Sequence, residues 1–384
     1  MQSDFAATVT PQLLATDPYE TLHQLRSTKP VAWIPSLNGW LVTRRDLAVE
    51  AMRNPETFTV EDERFTTQQV LGPSMLSLDG AEHERHRKPF APAFRPSTVR
   101  TGLETYLFEE ARRLVDGLKP NRQAELRTQL AGPLAVNTIT RFLELEGVES
   151  ETVLTWYSHI SDAIVGLAGG RPISDACRSA VADVANRVDE TVRGGASEFL
   201  QSLEEDGSLR PDELGPATIV LMFGGIETSE GMTANALWHL LSHPGTLRRV
   251  QAHPELLSAA IEESLRLEPA ASVVDRYATR DLNFGGAQIR EGDLVTLSLL
   301  GANRDPDVFE HPDEFDIDRT NLGQHVTFVQ GPHGCIGLHL ARLETEAALS
   351  AVLDLGSALR LDVANSSGPQ GLIFRKPQAV AARW

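Results

Sequence analysis

The chain has 384 residues and carries 53 acidic against 35 basic side chains, a formal net charge of −18 at pH 7. A chain this acidic has no general attraction for nucleic acid or for an anionic membrane, which excludes those partners and favours a small molecule. Its 2 cysteines are too few to cross-link a chain of this length. No repeat or long linker divides residues 1–384, so we predict a single domain, mainly α-helical with small β-sheets.

The N-terminal residues show no targeting segment. No cationic stretch followed by an apolar core is present, so we expect neither a secretory signal nor a membrane anchor, and we expect a cytoplasmic location. Two β-prone runs over 31–43 meet at Asn38-Gly39, which predicts a hairpin. Helical spacing returns over 44–54.

Residues 97–268 are rich in Ala, Leu, Glu and Arg, which predicts a mostly helical region, and a second β-rich segment follows over 272–300. Before this helical region, His83 and Arg87 lie one helical turn apart in a basic segment. Residues 82–100 hold five Lys or Arg against two Glu, a local positive excess on an acidic chain. The segment is either a docking site for an anion or an acidic partner, or an ordinary basic surface.

The segment 216–244 predicts the longest helix. Its apolar run ends at Glu227, far short of the roughly 20 residues that a membrane span needs. Gly224 and Gly225 lie in its interior, where each costs about 1 kcal/mol relative to alanine, and Glu227-Thr228 follow at once. Two interpretations are open: a group that approaches the backbone at the glycines, or a packing kink next to a solvated glutamate.

Two further signals lie in the C-terminal part. Glu263 and Arg266 are three residues apart on a predicted helix, close enough for an ion pair, although exposed pairs of this kind are common. The loop 328–337 places Cys335 among Gly, Pro and His immediately before an apolar helix. A zinc site explains this thiol poorly, because no Cys/His pair has ligand spacing and Cys177 stands alone. We interpret Cys177 as a packing residue.

Four features in chain order resemble the cytochrome P450 haem-thiolate monooxygenases in their soluble bacterial form. They are the basic segment 82–100, the long helix 216–244, the pair Glu263 and Arg266, and the cysteine loop 328–337. The long helix matches that family's Gly-x-acid-Thr motif at Gly225, Glu227 and Thr228. The resemblance implies a single-domain P450 fold with haem between the long central helix and the helix after the cysteine loop. The loop matches the family pattern Phe-x-x-Gly-x-His-x-Cys-x-Gly at Phe328, Gly331, His333, Cys335 and Gly337.

The resemblance implies haem b, iron protoporphyrin IX, as the cofactor. Cys335 would be the iron ligand, and its place at a helix N-terminus would favour the thiolate. Gly331 and Gly337 would let the backbone approach the macrocycle, and the backbone at Gly224 and Gly225 would give the oxygen room. Gly225 and Gly337 are counted among the haem contacts. Thr228 would hold dioxygen while Glu227 relays protons, which makes these two the catalytic residues. Further implied haem contacts are Phe328 beside the sulfur and, at the propionates, His83, Arg87, Arg276 and His333.

Glu263 and Arg266 take a structural role in the resembling family. Together with a second arginine, here Arg319, they would fix the loop that carries the cysteine. The loop departs from the family pattern at two positions. Val329 stands where family members often have glycine, and Gly334 stands where they often have a bulkier residue.

The implied activity is insertion of one atom of O2 into an apolar or aromatic small molecule. Electrons would come from a ferredoxin and its NAD(P)H-dependent ferredoxin reductase, docked on the 82–100 segment together with Arg342. Phe65 and Phe223 are expected as walls of the substrate pocket. Two alternatives stay open: a peroxide-driven or rearranging haem-thiolate enzyme, and a haem-binding sensor or carrier that does no chemistry.

Overall fold

The computed structural model describes residues 5–145, 148–168, 170–195 and 197–384. The fold is mainly α-helical with small β-sheets, as predicted. The helices, numbered in chain order, are α1 (Pro11–Thr16), α2 (Tyr19–Thr28), α3 (Arg45–Arg53), α4 (Thr66–Leu71), α5 (Gly80–Arg87), α6 (Pro96–Leu118), α7 (Gly132–Phe142), α8 (Ser150–Ala168), α9 (Asp175–Arg193), α10 (Glu198–Asp206), α11 (Pro211–Ser242), α12 (Pro244–Ala252), α13 (Leu257–Leu267), α14 (Leu299–Ala302) and α15 (Leu338–Leu353).

The strands form small sheets at the edges of the helical body. They are β1 (Val31–Ile34), β2 (Gly39–Val42), β3 (Phe58–Thr59), β4 (Gln123–Glu125), β5 (Val273–Ala278), β6 (Leu282–Phe284), β7 (Ala287–Ile289), β8 (Leu294–Ser298), β9 (Arg360–Leu361), β10 (Pro369–Gln370), β11 (Lys376–Pro377) and β12 (Ala381–Arg383). The largest sheet has the order β1-β2-β8-β5-β3, in which only β2 and β8 run parallel. The other sheets are β4-β12-β9, β6-β7 and β10-β11.

The predicted hairpin forms with a longer turn than a two-residue loop. β1 and β2 are antiparallel with Ile34 opposite Gly39, and a short 3-10 turn over Pro35–Leu37 leads into Asn38 at φ +49. The β-rich segment 272–300 supplies β5 to β8, as expected. Because β8 also pairs with β2, two segments that are far apart in the sequence share one sheet.

The predicted long helix is α11, which is continuous through both interior glycines. It begins at Pro211, before the predicted start at 216, and ends at Ser242, before the predicted end at 244. Pro211 occupies the first helical position, where a missing N–H costs no hydrogen bond, and the Glu213 carboxylate accepts the Arg210 N–H at 2.8 Å. The helix packs against α7, α8, α9, α13 and α15, so most of its side chains are buried.

The main apolar core lies between α6, α7, α11 and α15. Fully buried residues such as Leu107, Ile219 and Ala348 join these helices. The hydroxyls of Thr233 and Thr345 also lie 3.1 Å apart between α11 and α15. The core therefore fixes α15, and the cysteine loop at its start, relative to the centre of α11.

Candidate active site

The cysteine loop is held by its own backbone and by the end of α3. The Cys335 N–H donates a hydrogen bond of 2.8 Å to the Phe328 carbonyl, and the Gly334 N–H donates one of 3.1 Å to the Gly331 carbonyl. Gly331 has φ +76, and a Cβ there would lie 2.5 Å from the Met52 carbonyl oxygen. Only glycine fits this position, because both the dihedral angle and the space exclude a side chain.

Val329 adopts φ +61, a left-handed conformation that is strained for a β-branched residue. The departure from glycine seen in the sequence therefore has a conformational cost. The Val329 N–H donates to the Val326 carbonyl at 2.8 Å. The side chain packs against the apolar cluster that contains Val42 and Leu297, which offsets part of the strain.

The Cys335 thiol lies two residues before Gly337, the N-cap of α15. Many protein atoms surround Cys335, yet its side chain is not in contact with them on every side and keeps accessible surface. The thiol therefore borders a space within the fold. Burial raises the pKa of the thiol, although the Gly337 N–H and the guanidinium groups of Arg87 and Arg342 lower it. The helix start and the two guanidinium groups therefore do not by themselves bring the pKa of this thiol below its usual value.

The predicted basic side chains lie together beside this loop. His83 and Arg276 are buried on α5 and β5. The ring centroids of His83 and His333 are 4.5 Å apart. Arg87 donates a hydrogen bond of 2.6 Å to the Gly334 carbonyl, so this side chain also holds the cysteine loop.

The basic cluster contains a carboxylate that the sequence analysis missed. Asp79 lies 2.7 Å from His333 Nε2 and accepts bonds from the Thr59 hydroxyl at 2.7 Å and the Val60 N–H at 2.9 Å. Burial alone would raise the pKa of Asp79, but the bonds with His333 and Thr59 outweigh it and lower that pKa to about 2. Burial lowers the pKa of Arg276 to about 10, against the opposing charge of Asp79.

The side chain of His83 fits a ligand that is rich in carboxylates. Burial, and then the neighbouring His333 and Arg87, lower the pKa of His83 to about 4. Its Nε2 atom is buried and has no hydrogen-bond partner in the part of the chain that the structure describes. An unpartnered buried nitrogen close to the Arg87 cation fits a carboxylate ligand such as a haem propionate.

The two glycines of α11 have different surroundings. The Thr228 hydroxyl donates a hydrogen bond of 2.6 Å to the Gly224 carbonyl. A Cβ on Gly224 would have nothing within 4 Å, whereas a Cβ on Gly225 would lie 2.8 Å from Ile139 on α7. The structure differs here from the sequence prediction, because Gly225 is required by helix packing and Gly224 is the glycine that borders open space.

Glu227 is buried, so the interpretation as a solvated glutamate is wrong. Its carboxylate accepts hydrogen bonds from the Tyr157 hydroxyl and, at 3.3 Å, from the Ser161 hydroxyl, both on α8. Lys376 Nζ lies 2.9 Å away on the other side. Burial raises the pKa of Glu227, and Lys376 opposes that shift. The sequence analysis missed both Tyr157 and Lys376.

Aromatic side chains surround the same part of α11. The Phe223 ring lies 6.3 Å from Tyr157 and 5.6 Å from Phe374, the second contact being edge to face. Phe223 was expected as a pocket wall and is buried in this cluster. Phe65 is half-buried at the start of α4. Phe374, from the C-terminal part, adds a third ring to this cluster.

The ion pair between Glu263 and Arg266 is fully buried, unlike the common exposed pairs with the same spacing. Arg266 donates two hydrogen bonds of 2.7 Å to the Glu263 carboxylate, and Arg319 donates a third at 2.9 Å. Arg266 also donates to the Asn303 carbonyl at 2.9 Å, and the Asn303 side chain accepts the Val326 N–H at 2.7 Å. The network therefore connects α13 to the segment that leads into the cysteine loop.

The second cysteine has no part in this site. Cys177 is buried on α9 among apolar side chains, as expected of a packing residue. Among the described residues, no group of three or more His, Cys, Asp and Glu side chains could hold a metal ion. This agrees with the argument from the sequence against a zinc site in that part of the chain.

Comparison with known proteins decides the family. The family model for cytochrome P450 matches residues 175–355. The chain is 31% identical over 375 residues to cytochrome P450 107B1 of Saccharopolyspora erythraea, with 90% of this chain and 89% of the relative covered. The chain belongs to the cytochrome P450 family. It is also 32% identical to the monooxygenase PikC of Streptomyces venezuelae, over 92% of this P450 and 87% of PikC.

Solved structures agree with this assignment. P450BioI in complex with hexadec-9Z-enoic acid ligated acyl carrier protein has a TM-score of 0.87 and 25% identity, covering 98% of this P450 and 100% of that chain. Cytochrome P450 CREJ in complex with (4-ethylphenyl) dihydrogen phosphate has a TM-score of 0.86 and 26% identity, covering 99% and 100%.

This P450 is a haem-thiolate monooxygenase, and an enzyme of this family needs redox partners. Its fold is the mainly helical P450 fold that the resemblance implied. None of the helices in the described residues combines the length and apolar character that crossing a membrane requires.

Proposed function

We propose that this P450 inserts one atom of dioxygen into an apolar or aromatic small molecule, with electrons supplied by a ferredoxin. The observation that carries the proposal is the pairing of an acid with an alcohol on one turn of α11. Glu227 and Thr228 adjoin the open face at Gly224, and both are tied to fixed partners. An enzyme that received its oxidant already protonated would not require this pair.

The residues around the cysteine loop hold the cofactor in this proposal. Cys335 would ligate the iron, Arg87 and Arg276 would neutralise the propionates, and the neutral ring of His83 would donate a hydrogen bond to one of them. When bound, a haem with a thiolate ligand supplies the electron density that favours cleavage of the O–O bond. Arg342 stacks on Phe328, with 4.5 Å from its guanidinium carbon to the ring centroid, and this pair limits the access of water to the sulfur.

Proton delivery is assigned to α11. Glu227 carries a proton from solvent, and the Thr228 hydroxyl accepts a hydrogen bond at the place where oxygen reacts. Thr228 is suited to this role because its own proton is already donated to the Gly224 carbonyl. Its lone pairs are therefore directed away from the helix backbone. Burial raises the pKa of Glu227 toward the pH at which the enzyme works, and a general acid is most effective when its pKa lies near that pH.

The aromatic cluster on α11 sets the class of substrate. Phe223 and Phe374 offer apolar faces, and small residues at Gly224 and Ala271 leave room beside them. The two structural neighbours have ligands with an apolar or aromatic part, a hexadecenoic acyl chain and an ethylphenyl phosphate. Compounds that combine an apolar body with one polar end are therefore the first candidates.

The electron donor docks on the thiolate side of the haem. Lys88 and Arg95 are exposed and make no ion pair in the described part of the chain. Arg85 and Arg342, which the sequence also suggested, are engaged with Glu213 and Glu262. The docking face is therefore narrower than expected, and a local patch of this kind suits a small acidic ferredoxin in the cytoplasm.

The test of this function starts from the thiolate. The reduced carbon monoxide complex should show the long-wavelength Soret band of thiolate haem in the wild type and in Cys177→Ala, and Cys335→Ala should lose it. A screen of apolar and aromatic compounds for Soret shifts then identifies ligands. Those ligands should be oxidised in the presence of ferredoxin, its reductase and NAD(P)H. Equal turnover with hydrogen peroxide alone would instead support the peroxide-driven alternative.

A further inference from the structure

Glu227 belongs to a larger buried cluster of charges. Lys376 Nζ lies 2.9 Å from the carboxylate of Glu227 and 2.8 Å from that of Glu230. The two glutamates are neighbours on one face of α11, because they lie three residues apart. Glu230 also accepts a hydrogen bond of 2.8 Å from Arg127, in the π-helical turn before α7. The cluster therefore has two carboxylates and two cations. Tyr157 and Ser161 close it on the side of α8.

The cluster leads from the interior toward solvent. The side chain of Glu227 is 6% exposed and that of Glu230 is 9% exposed. Exposure then rises to 17% at Lys376 and 22% at Arg127. The buried end adjoins Thr228, and the outer end meets water. A charged path with this gradient gives a proton a way in without opening the apolar core.

Glu230 provides Lys376 with a second anionic partner at this site. If Glu227 is protonated, Lys376 loses one partner but keeps Glu230 at 2.8 Å. Lys376 and Arg127 then share the charge of Glu230, and both are partly exposed, so neither cation is left without an anionic partner when Glu227 changes its charge. The Glu263 pair on α13 is different, because its single carboxylate serves two arginines and its protonation would leave both without an anion.

We propose that Glu230 and Lys376 are positioning residues that form the solvent end of a proton inlet to Glu227. A proton passes from surface water to the Glu227 carboxylate, and the hydroxide that remains is neutralised by buffer. Glu227 then donates that proton at the reacting oxygen and returns to the carboxylate. The inference rests on the proposed role of Glu227 in oxygen activation and adds the route by which this residue is recharged.

If the inlet exists, substitution of Glu230 and substitution of Lys376 should shift the pKa of Glu227 in opposite directions. Glu230 raises the pKa of Glu227 and Lys376 lowers it. Glu230→Gln removes a negative neighbour and leaves Lys376 with Glu227 alone, so the pKa of Glu227 should fall. Lys376→Met removes the cation, so the pKa of Glu227 should rise. Tyr157, Ser161 and Arg127 are unchanged in both variants.

The experiment measures this titration directly. Infrared difference spectra of the folded protein across pH give the carboxyl band of Glu227, assigned by its loss in Glu227→Gln. We expect the band to titrate at lower pH in Glu230→Gln, at higher pH in Lys376→Met, and as in the wild type in Lys376→Arg, which keeps the cation. Glu110→Gln is the matched control, since Glu110 is 11% exposed and also pairs with an arginine.

A second measurement links the titration to turnover. The pH profile of product formation should shift in Glu230→Gln and Lys376→Met by the same amount and sign as the band, and Glu110→Gln should not shift it. If neither variant moves the band or the profile while Glu227→Gln slows turnover, the inlet is wrong and the role of Glu227 stands. If Glu227→Gln leaves turnover and coupling unchanged, the proposed role of Glu227 fails, and the inlet fails with it.

Discussion

The hydroxyl of Thr228 donates a hydrogen bond of 2.6 Å to the carbonyl of Gly224, one turn earlier in α11. This bond fixes the side-chain rotamer and directs the oxygen lone pairs away from the backbone. Gly224 itself has open space where a Cβ would stand. The bond therefore places a hydrogen-bond acceptor at the edge of the space that the glycine leaves.

Replacing Thr228 should separate oxygen consumption from product formation. Thr228→Ala removes the acceptor that orients a proton at the reacting oxygen, so more reductant should end in hydrogen peroxide. The fraction of reductant recovered in product should fall by about tenfold, less than the roughly 100-fold at which general acid–base contributions begin, because Thr228 accepts a hydrogen bond and does not itself titrate. Haem binding and the thiolate spectrum should be unchanged.

The control for this prediction keeps the hydroxyl. Thr228→Ser can still donate to the Gly224 carbonyl, so its coupling should stay close to that of the wild type. Product and hydrogen peroxide are measured per NAD(P)H consumed in all three proteins. Equal coupling in Thr228→Ala and the wild type would contradict the monooxygenase mechanism assigned to α11.

The buried ion pair on α13 should contribute strongly to stability. Glu263→Gln leaves Arg266 and Arg319 without a carboxylate in a site where all three side chains are nearly inaccessible to solvent. Breaking a buried pair in this way costs about 3–5 kcal/mol. Asp318→Asn is the matched control: its partner Arg249 is 49% exposed, and the loss should stay below about 1 kcal/mol.

Urea unfolding of both variants, followed by circular dichroism and by release of haem, checks this expectation. Arg266 also donates to Asn303, and Asn303 holds Val326 before the cysteine loop. The Glu263→Gln variant should therefore release haem at a lower urea concentration than the one at which its helices unfold. An unfolding free energy equal to that of the wild type would show that the pair does not hold the loop.

Local patterns in the sequence were enough to predict the helical region, the long helix and the hairpin. The apolar spacing indicates α11, although the predicted start at 216 missed the first residues of the helix from Pro211 on. Asn38 supplies the left-handed residue of the turn between β1 and β2. The motif residues of the cysteine loop were identified because their spacing is short and specific. Arg319 was assigned only by resemblance, and the structure places it on Glu263.

Contacts between distant segments could not be predicted in the same way. Tyr157 and Lys376 meet Glu227 because α8 and the segment at β11 pack on α11, and no sequence pattern encodes that pairing. The parallel pairing of β2 with β8 is equally non-local. Asp79 had a weak signal as the residue before α5, but its pairing with His333 depends on how the loop folds back.

Gly331 should not tolerate a side chain. Gly331→Ala would place a Cβ 2.5 Å from the Met52 carbonyl oxygen in a residue with φ +76. A left-handed non-glycine residue costs about 1–2 kcal/mol before the clash is counted, so we expect a larger loss than this. Gly323→Ala is the control, since nothing lies within 4 Å of its Cβ position.

Thermal unfolding and the carbon monoxide spectrum test the pair of glycine variants. Gly331→Ala should lower the melting temperature and shift part of the thiolate band to shorter wavelength, because the loop must move away from α3. Gly323→Ala should match the wild type in both measurements. A wild-type spectrum and melting temperature in Gly331→Ala would show that this contact does not position the loop.

Glu344 should make stability depend on pH. This side chain is buried on α15, and burial raises its pKa to about 8 despite a hydrogen bond with Thr138. The unfolded chain ionises Glu344 near pH 4.3. Between that pH and about 8 the folded state therefore keeps a proton that the unfolded state loses. Stability should fall as pH rises through this window, by about 1.4 kcal/mol per unit.

Glu344→Gln should remove this contribution to the slope. The variant should be about as stable as the wild type at pH 5 and more stable than it at pH 8. Glu346→Gln, two residues further along α15 and half-buried, is the control and should keep the slope of the wild type. Unfolding free energies measured by urea titration at several pH values decide this, and parallel curves for all three proteins would contradict the prediction.

The narrowed docking face gives the last prediction. Lys88 and Arg95 are exposed near the cysteine loop, and both proteins in the electron-transfer complex are expected to be acidic, so association must rely on this local positive charge. Reversing both charges in Lys88→Glu/Arg95→Glu should slow ferredoxin association by about tenfold at low salt, and added salt should reduce the difference.

Stopped-flow reduction of the haem by a ferredoxin that supports turnover measures this rate. Arg193→Glu, on α9, reverses one charge, half the change in the double variant, at a residue that is 80% exposed, and it should be reduced at the rate of the wild type. Substrate affinity should be equal in all variants, because neither charge lies in the aromatic cluster on α11. A double variant that is reduced as fast as Arg193→Glu at every salt concentration would place the docking face elsewhere.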